Sequence, residues 1–270
     1  MSLESAAVVV TAFRRPWYLE QTLGSWCKAR GLDDVHSFTV ALGWHPDTWK
    51  AQLRVVEGFR QATGLGSRMR VKVDSDAARK SNGMHRAIGE AANAVLEDPA
   101  VEFVVFGEED VIVSDDVLEY MMWARRELAA DGRVLLACGH SVGAAGWDRH
   151  EPADDGDADQ EAVRLLPYFN PWVWGTWRDR WETTLEPGWD WDCSKGPHPD
   201  QMGYDWGIHH TVRREDYLCA VPDESRSQTI GENGGWASSA QTWAFSQAAS
   251  FRSRRGPVTY RLEAAAERAA

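Results

Sequence analysis

The 270-residue sequence predicts an α/β fold in which helices flank a mixed, largely parallel sheet. Three observations carry that prediction. As far as about Cys138, short β-branched runs alternate with longer amphipathic stretches, the pattern of βαβ units. One of those runs ends abruptly in three consecutive acids, Glu108, Glu109 and Asp110. Beyond Gly139 the texture becomes rich in Trp, Gly, Pro and Asp, which predicts loops that shape a site more than a regular sheet.

Taken in order, the first strand is expected over 7–11, followed by a helix over 16–29 that Pro16 opens, since proline suits the first helical position. A second strand over 38–42 precedes a helix over 46–63, opened in the same way by Pro46. The third strand covers 69–73 and its helix 81–96, with Ser81 as the capping residue and Lys80, Asn82 and His85 close by. The fourth strand, 102–106, leads through the acids to a helix over 115–130. Ser114 is the expected N-cap there, with Asp115 and Asp116 in the first turn. A fifth strand covers 134–138. The stretch 143–159 reads as an exposed loop, and 165–243 as a mixed, irregular region. The last residues, 252–270, carry Arg252, Arg254, Arg255, Arg261 and Arg268 before an alanine-rich end, and are expected as a basic tail or terminal helix. No repeat or linker divides the chain, so 1–251 is expected to be a single domain.

Bulk properties narrow the function. A hydrophobic content of 43% builds a sizeable core, and a net charge of −12 argues against nucleic acid as a ligand of the whole surface. Cys27, Cys138, Cys193 and Cys219 form no C-x-x-C pair, which argues against a zinc site or a disulfide framework. There is no basic leader and no apolar run of the roughly 20 residues a membrane span needs, so a soluble, cytoplasmic protein is expected. The 15 tryptophans suit cores, sugar faces and bases alike.

The most informative segment is Phe103-Val104-Val105-Phe106-Gly107-Glu108-Glu109-Asp110. In an open α/β sheet, ligands bind beyond the carboxyl ends of the strands, where these acids project. Three adjacent acids repel one another unless a cation lies among them. Mg²⁺ or Mn²⁺ takes oxygen ligands from one or two carboxylates and completes its shell with phosphate and water. The bland alternative is a solvated acidic turn before the next helix.

The segment from Val104, VVFGEEDVIVSDDVLEY, resembles the strand, acidic triplet and helix of the N-acetylglucosaminyltransferase I family, whose members carry Glu-Asp-Asp there. Leu185-Glu186-Pro187 with Trp189 resembles that family's LEPKW, and Tyr204-Asp205-Trp206 its DDW. Pro222-Asp223-Glu224-Ser225-Arg226 with Gly231 resembles PEISRTMTFG. These four motifs occur in the same order within 8–241. The resemblance implies a GT-A, Rossmann-type glycosyltransferase with a nucleotide-binding half over 1–112 and an acceptor half over 113–251.

Carried over by position, Asp110 matches the acid that coordinates Mn²⁺ beneath the donor diphosphate, while Glu108 and Glu109 match those facing uridine and ribose. Asp205 matches the catalytic base, with Asp190, Asp192 and Asp200 as neighbouring alternates. Arg14 falls near the family arginine that touches the nucleotide. Trp174 lies in a segment similar to FFPGLGW beside the donor sugar. The run Gly231-Glu232-Asn233-Gly234-Gly235-Trp236 suits a hinge that closes over the donor, with Gly234 at its centre. His209 and His210 read as solvated or packed residues. Glu109 departs from the family's aspartate, and after 41–43 there is no counterpart of the aspartate that reads uracil.

The implied chemistry is an inverting displacement from a nucleotide diphosphate sugar, a UDP-sugar above all, with Mn²⁺ or Mg²⁺ as cofactor and an intracellular hydroxyl as acceptor. One acceptor consistent with the arginine-rich end is a hydroxymethylated pyrimidine in phage-type DNA. Two other readings compete: a carbohydrate-binding module or pseudoenzyme, supported by the tryptophans, and a metal-dependent phosphohydrolase or nucleotidyltransferase, whose acids also close strands.

Overall fold

The computed structural model describes residues 5–74, 83–141, 159–189, 191, 203–232, 247, 251 and 256–263. The first βαβ units are β1 (Ala6–Phe13), α1 (Pro16–Trp26), β2 (Ser37–Gly43), α2 (Trp49–Ala62), β3 (Met69–Asp74), α3 (Gly83–Leu96) and β4 (Phe103–Glu108). Then come β5 (Val111–Val113), α4 (Val117–Glu127), β6 (Val134–Cys138), β7 (Ala162–Leu166) and β8 (Trp174–Trp177). A short α5 (Arg178–Arg180) passes through a π-helical turn, Trp181–Leu185, into α6 (Glu186–Gly188). The last elements are α7 (Tyr204–Arg214), β9 (Leu218–Pro222), β10 (Ser227–Thr229) and β11 (Arg261–Leu262). Among the described residues no helix is long and apolar enough to cross a membrane.

One nine-stranded sheet runs in the order β11, β7, β9, β6, β8, β4, β1, β2, β3, and β5 pairs separately with β10. β1 is parallel to both β2 and β4, and β2 to β3. β8 is antiparallel to its two neighbours, β4 and β6. The near-continuous apolar run of β1 reflects burial on both faces. Ala6, Val8, Val10 and Ala12 enter the core formed with α1, α2 and α4, whereas Ala7 and Val9 enter a second core formed with α3, the π-helical turn and α7. At about 25 cal/mol per Å² of apolar surface removed from water, these two layers supply the main stabilisation of the domain.

The structure departs from the sequence expectations at four places. Pro46 sits in a turn; α2 starts at Trp49, because the backbone N–H groups of Thr48 and Trp49 both close onto the His45 carbonyl. Ser114 is not the N-cap of α4: that position is Asp116, and Ser114 contributes only its carbonyl, to the Val117 N–H. The Trp-rich half is more regular than expected, since it supplies β7, β8 and β9 to the main sheet. Finally, 256–263 is not a free basic tail. Tyr260 is buried against Tyr120 and Trp123, β11 extends the sheet beside β7, and Arg261 pairs with Asp159 and Glu161. The expected loop at 143–159 lies almost wholly outside the described residues, as do Arg252, Arg254, Arg255 and Arg268.

A buried ion network explains the fate of Asp116. Arg226 and Asp116 are both fully buried, 3.3 Å apart, and Glu224 lies 3.1 Å from the same guanidinium. The Tyr260 hydroxyl accepts from Arg226 Nε at 3.1 Å and donates to Asp116 at 2.7 Å. Four groups from the N-cap of α4, the turn before β10 and the C-terminal segment thus compensate one another's charge, as buried charges must, while Asp116 Oδ1 has no hydrogen-bond partner among the described residues.

Candidate active site

The alternation of a strand distributes the acids. On β4, Val104 and Phe106 face the α3 and α7 side of the sheet, while Phe103 and Val105 face the α1 side. Continuing that period of two, Glu108 falls on the α7 side and Glu109 on the α1 side. Asp110 sits in the turn that leads to β5.

Each acid meets a different partner. Glu108 Oε1 accepts a 2.5 Å hydrogen bond from the Tyr204 hydroxyl, at the start of α7. Glu109 receives Arg15 Nε and Nη2 at 2.8 Å each, and Asp110 receives Arg15 Nη1 at 2.9 Å. Thr22 of α1 fixes the same turn by donating to the Glu109 carbonyl at 2.7 Å. Burial first, then repulsion from Asp110, pushes both Glu108 and Glu109 well above the usual carboxylate range. Tyr204 opposes this at Glu108 and Arg15 opposes it at Glu109, while Asp205 adds to the repulsion on Glu108. Burial opposes the charge on Arg15, but Glu109 and Asp110 outweigh it and hold its pKa above the ordinary value.

Asp205 lies in the first turn of α7. Its carboxylate accepts the backbone N–H groups of Trp206 and of Asp205 itself, and burial nevertheless holds its pKa above the usual range. Two glycines press on the carboxylates. A Cβ built on Gly203 would lie 2.1 Å from Asp205 Oδ1, and one on Gly231 would lie 2.1 Å from Asp110 Oδ2.

Not every expected residue joins this group. Arg14 is exposed, its left-handed φ of 71° turning it away over the Phe13 ring, and the next residue, Arg15, is the one that reaches the acids. Trp174 has no exposed surface. It stacks on Phe106 at 4.2 Å and lies beneath Tyr204, so it supports the site from the core. Gly234, Asp190, Asp192, Asp200, Lys80 and Asn82 lie outside the described residues. His209 and His210 pack in a ring cluster with Trp206 and Tyr168. Sequence reading missed Arg15 and Tyr204. Their only signal was adjacency to Arg14 and Asp205, and which member of each pair turns inward depends on the backbone.

One oxygen of the cluster is left over by the protein's own contacts. Glu109 Oε2 is buried with no hydrogen-bond partner among the described residues, and Arg15 is shared between two carboxylates. Among the described residues no three His, Cys, Asp or Glu side chains close a metal cage. Mg²⁺ or Mn²⁺ bound at a strand end takes one or two carboxylates and completes its shell with water and phosphate, so Glu109 Oε2 is the oxygen with capacity for such a ligand.

No protein-family profile matches the chain, and no curated protein matches its sequence. Solved structures match its architecture. TarS 1–349 from S. aureus, in complex with UDP-GlcNAc, superposes with a TM-score of 0.55 at 15% identity over 89% of this chain and 61% of that one. The mannosyltransferase PcManGT from Pyrobaculum calidifontis, in complex with GDP-Man and Mn²⁺, gives 0.50 at 16% identity, over 81% of this chain and 54% of that one. The fold is that of the GT-A glycosyltransferases. The chain spans only about three fifths or less of the length of those structures, and at such identities the likeness speaks for the fold alone.

Proposed function

We propose that this protein is an inverting, divalent-cation-dependent glycosyltransferase that moves a sugar from a nucleotide diphosphate sugar, a UDP-sugar above all, to an acceptor hydroxyl. The observation that supports this most is the Glu108–Tyr204 hydrogen bond, which draws the acids closing β4 and the acid opening α7 into one site. The fold it shares with structures solved with UDP-GlcNAc and with GDP-Man and Mn²⁺ supports the donor class.

In this reading residues 1–112 bind the nucleotide and 113–251 shape the acceptor side. Asp110 would hold the cation, with Glu108 and Glu109 lining the nucleoside side. A bound divalent cation supplies Lewis-acid stabilisation of the charge that grows on the departing diphosphate. Arg15, fixed by Glu109 and Asp110, presents a second positive group beside it, and Arg14 lies at the open end of β1, where the nucleotide would pass. The attacking hydroxyl gives its proton to the Asp205 carboxylate while its oxygen bonds to the anomeric carbon and the diphosphate oxygen leaves from the opposite face. Burial of Asp205 favours its taking that proton. One displacement with one base inverts the anomeric carbon. Gly234 belongs to the segment proposed as the closing hinge.

The test is a screen of nucleotide sugars with Mn²⁺, read as release of nucleoside diphosphate, followed by acceptors that include sugars and duplex DNA bearing hydroxymethylated pyrimidines. One donor should be hydrolysed slowly in the presence of Mn²⁺, and Asp110→Ala should lower that rate by at least about 100-fold. Release of inorganic phosphate, or sugar binding that Asp110→Ala spares, would favour the phosphohydrolase or binding-module readings instead.

A further inference from the structure

We infer that Tyr204 is a positioning residue: its hydroxyl latches the first turn of α7 to the end of β4 and so sets the place of Asp205 against the donor. The inference rests on the glycosyltransferase reading and deepens it.

The geometry is specific to the hydroxyl. Glu108 and Tyr204 are separated by 96 positions in sequence, and their contact at 2.5 Å spans the two halves of the domain. α7 has no side-chain N-cap, because Gly203 stands at that position with an extended backbone. Asp205 is engaged with the start of its own helix, so its carboxylate moves wherever that turn moves. The Tyr204 ring is held from several sides. Trp189 stacks on it at 5.9 Å and 27°, His85 meets it edge-on at 5.6 Å, and Trp174 lies at 6.4 Å. Trp189 is fixed in turn by donating its indole N–H to the His85 carbonyl at 3.1 Å. Tyr204 is only 6% exposed, so the rings set its direction and leave the hydroxyl as the end that reaches Glu108. A tyrosine needed only for packing would be replaced by phenylalanine without kinetic effect. A tyrosine that sets the base would not, since a displacement of about 1 Å can cost on the order of 100-fold in rate.

Tyr204→Phe keeps the stacked ring and removes the latch. With the donor found in the screen, kcat for transfer should fall about 10-fold or more while the donor KM and the affinity for nucleoside diphosphate stay within about two-fold. In an Asp205→Asn background the same substitution should have no further effect on the residual kcat, because both changes act through one group. Should Tyr204→Phe not fold, the strand side offers the same test. Glu108→Gln keeps an acceptor for the hydroxyl and Glu108→Ala removes it, so kcat at saturating donor should fall clearly more with Ala, while the nucleoside contact proposed for Glu108 is read separately in the donor KM. A folded Tyr204→Phe with wild-type kcat, or full additivity with Asp205→Asn, overturns the latch while leaving the glycosyltransferase reading intact. A wild-type protein that turns over no nucleotide sugar overturns both.

Discussion

The carboxylates on the two sides of the sheet are held by opposite means. Asp110 and Glu109 share a guanidinium, so a cation compensates the charge at the end of β4. At Asp205 burial raises the pKa and two backbone N–H groups oppose the rise, and among the described residues no cation pairs with it. A guanidinium fixed between two acids is suited to meeting the charge of a diphosphate, whereas a buried acid that accepts backbone N–H groups is suited to taking a proton. The sharpest way to break this division is Asp205→Asn, which keeps both amide contacts and removes the basicity. Transfer kcat should fall by about 100-fold to 10,000-fold with the donor affinity unchanged. An equal loss in nucleotide binding, measured by calorimetry, would place Asp205 with the donor instead.

The two halves also differ in how far the sequence betrayed them. β1, β2, β3 and β4 lie within one or two residues of their expected bounds, because strands buried on both faces must be apolar throughout and the helices between them repeat with a clear period. The acids were legible for the same reason, since polar residues directly after such a strand have nowhere to go but its open end. After Gly139 the signal weakens. β8 reads Trp-Gly-Thr-Trp and β11 only Arg-Leu, so neither carries an alternation to detect, and their places come from pairing with residues far away. Trp174 illustrates the cost: an aromatic beside a glycine reads equally as a sugar platform or as core, and only its stack on Phe106 decides. Arg14 against Arg15 is a choice of one backbone dihedral, which composition does not record.

Acid should expose a further asymmetry, at the end of β6. His140 is buried, hydrogen-bonds the Ser227 carbonyl of β10 at 3.0 Å and contacts the Ser225 hydroxyl at 3.1 Å. Burial lowers its pKa from the ordinary 6.5 to about 4. Because the folded form resists protonation, its stabilising contribution is complete above about pH 6.5 and is lost as the pH falls towards 4. The full difference is worth about 3 kcal/mol. Urea midpoints for wild type and His140→Gln should therefore converge between pH 7 and pH 4.5. Midpoints that stay parallel would mean that His140 does not charge in this range.

The smallest effects should come from the two glycines, and they test the division most directly because neither substitution touches a functional group. Gly203 has an extended backbone with φ −179° that any residue adopts, so Gly203→Ala acts through the clash of its Cβ with Asp205 Oδ1, and Gly231→Ala acts in the same way on Asp110 Oδ2. Each forces its carboxylate oxygen to move by roughly an ångström, since real Cβ atoms keep at least 3.0 Å from such neighbours. If the two sides do separate tasks, Gly231→Ala weakens Mn²⁺-dependent nucleotide binding about 10-fold and leaves kcat at saturation nearly unchanged. Gly203→Ala then does the reverse, lowering kcat about 10-fold at constant donor affinity. Should both variants change the same parameter, the cation-held and amide-held acids act as one unit, and the roles given to them here have to be merged.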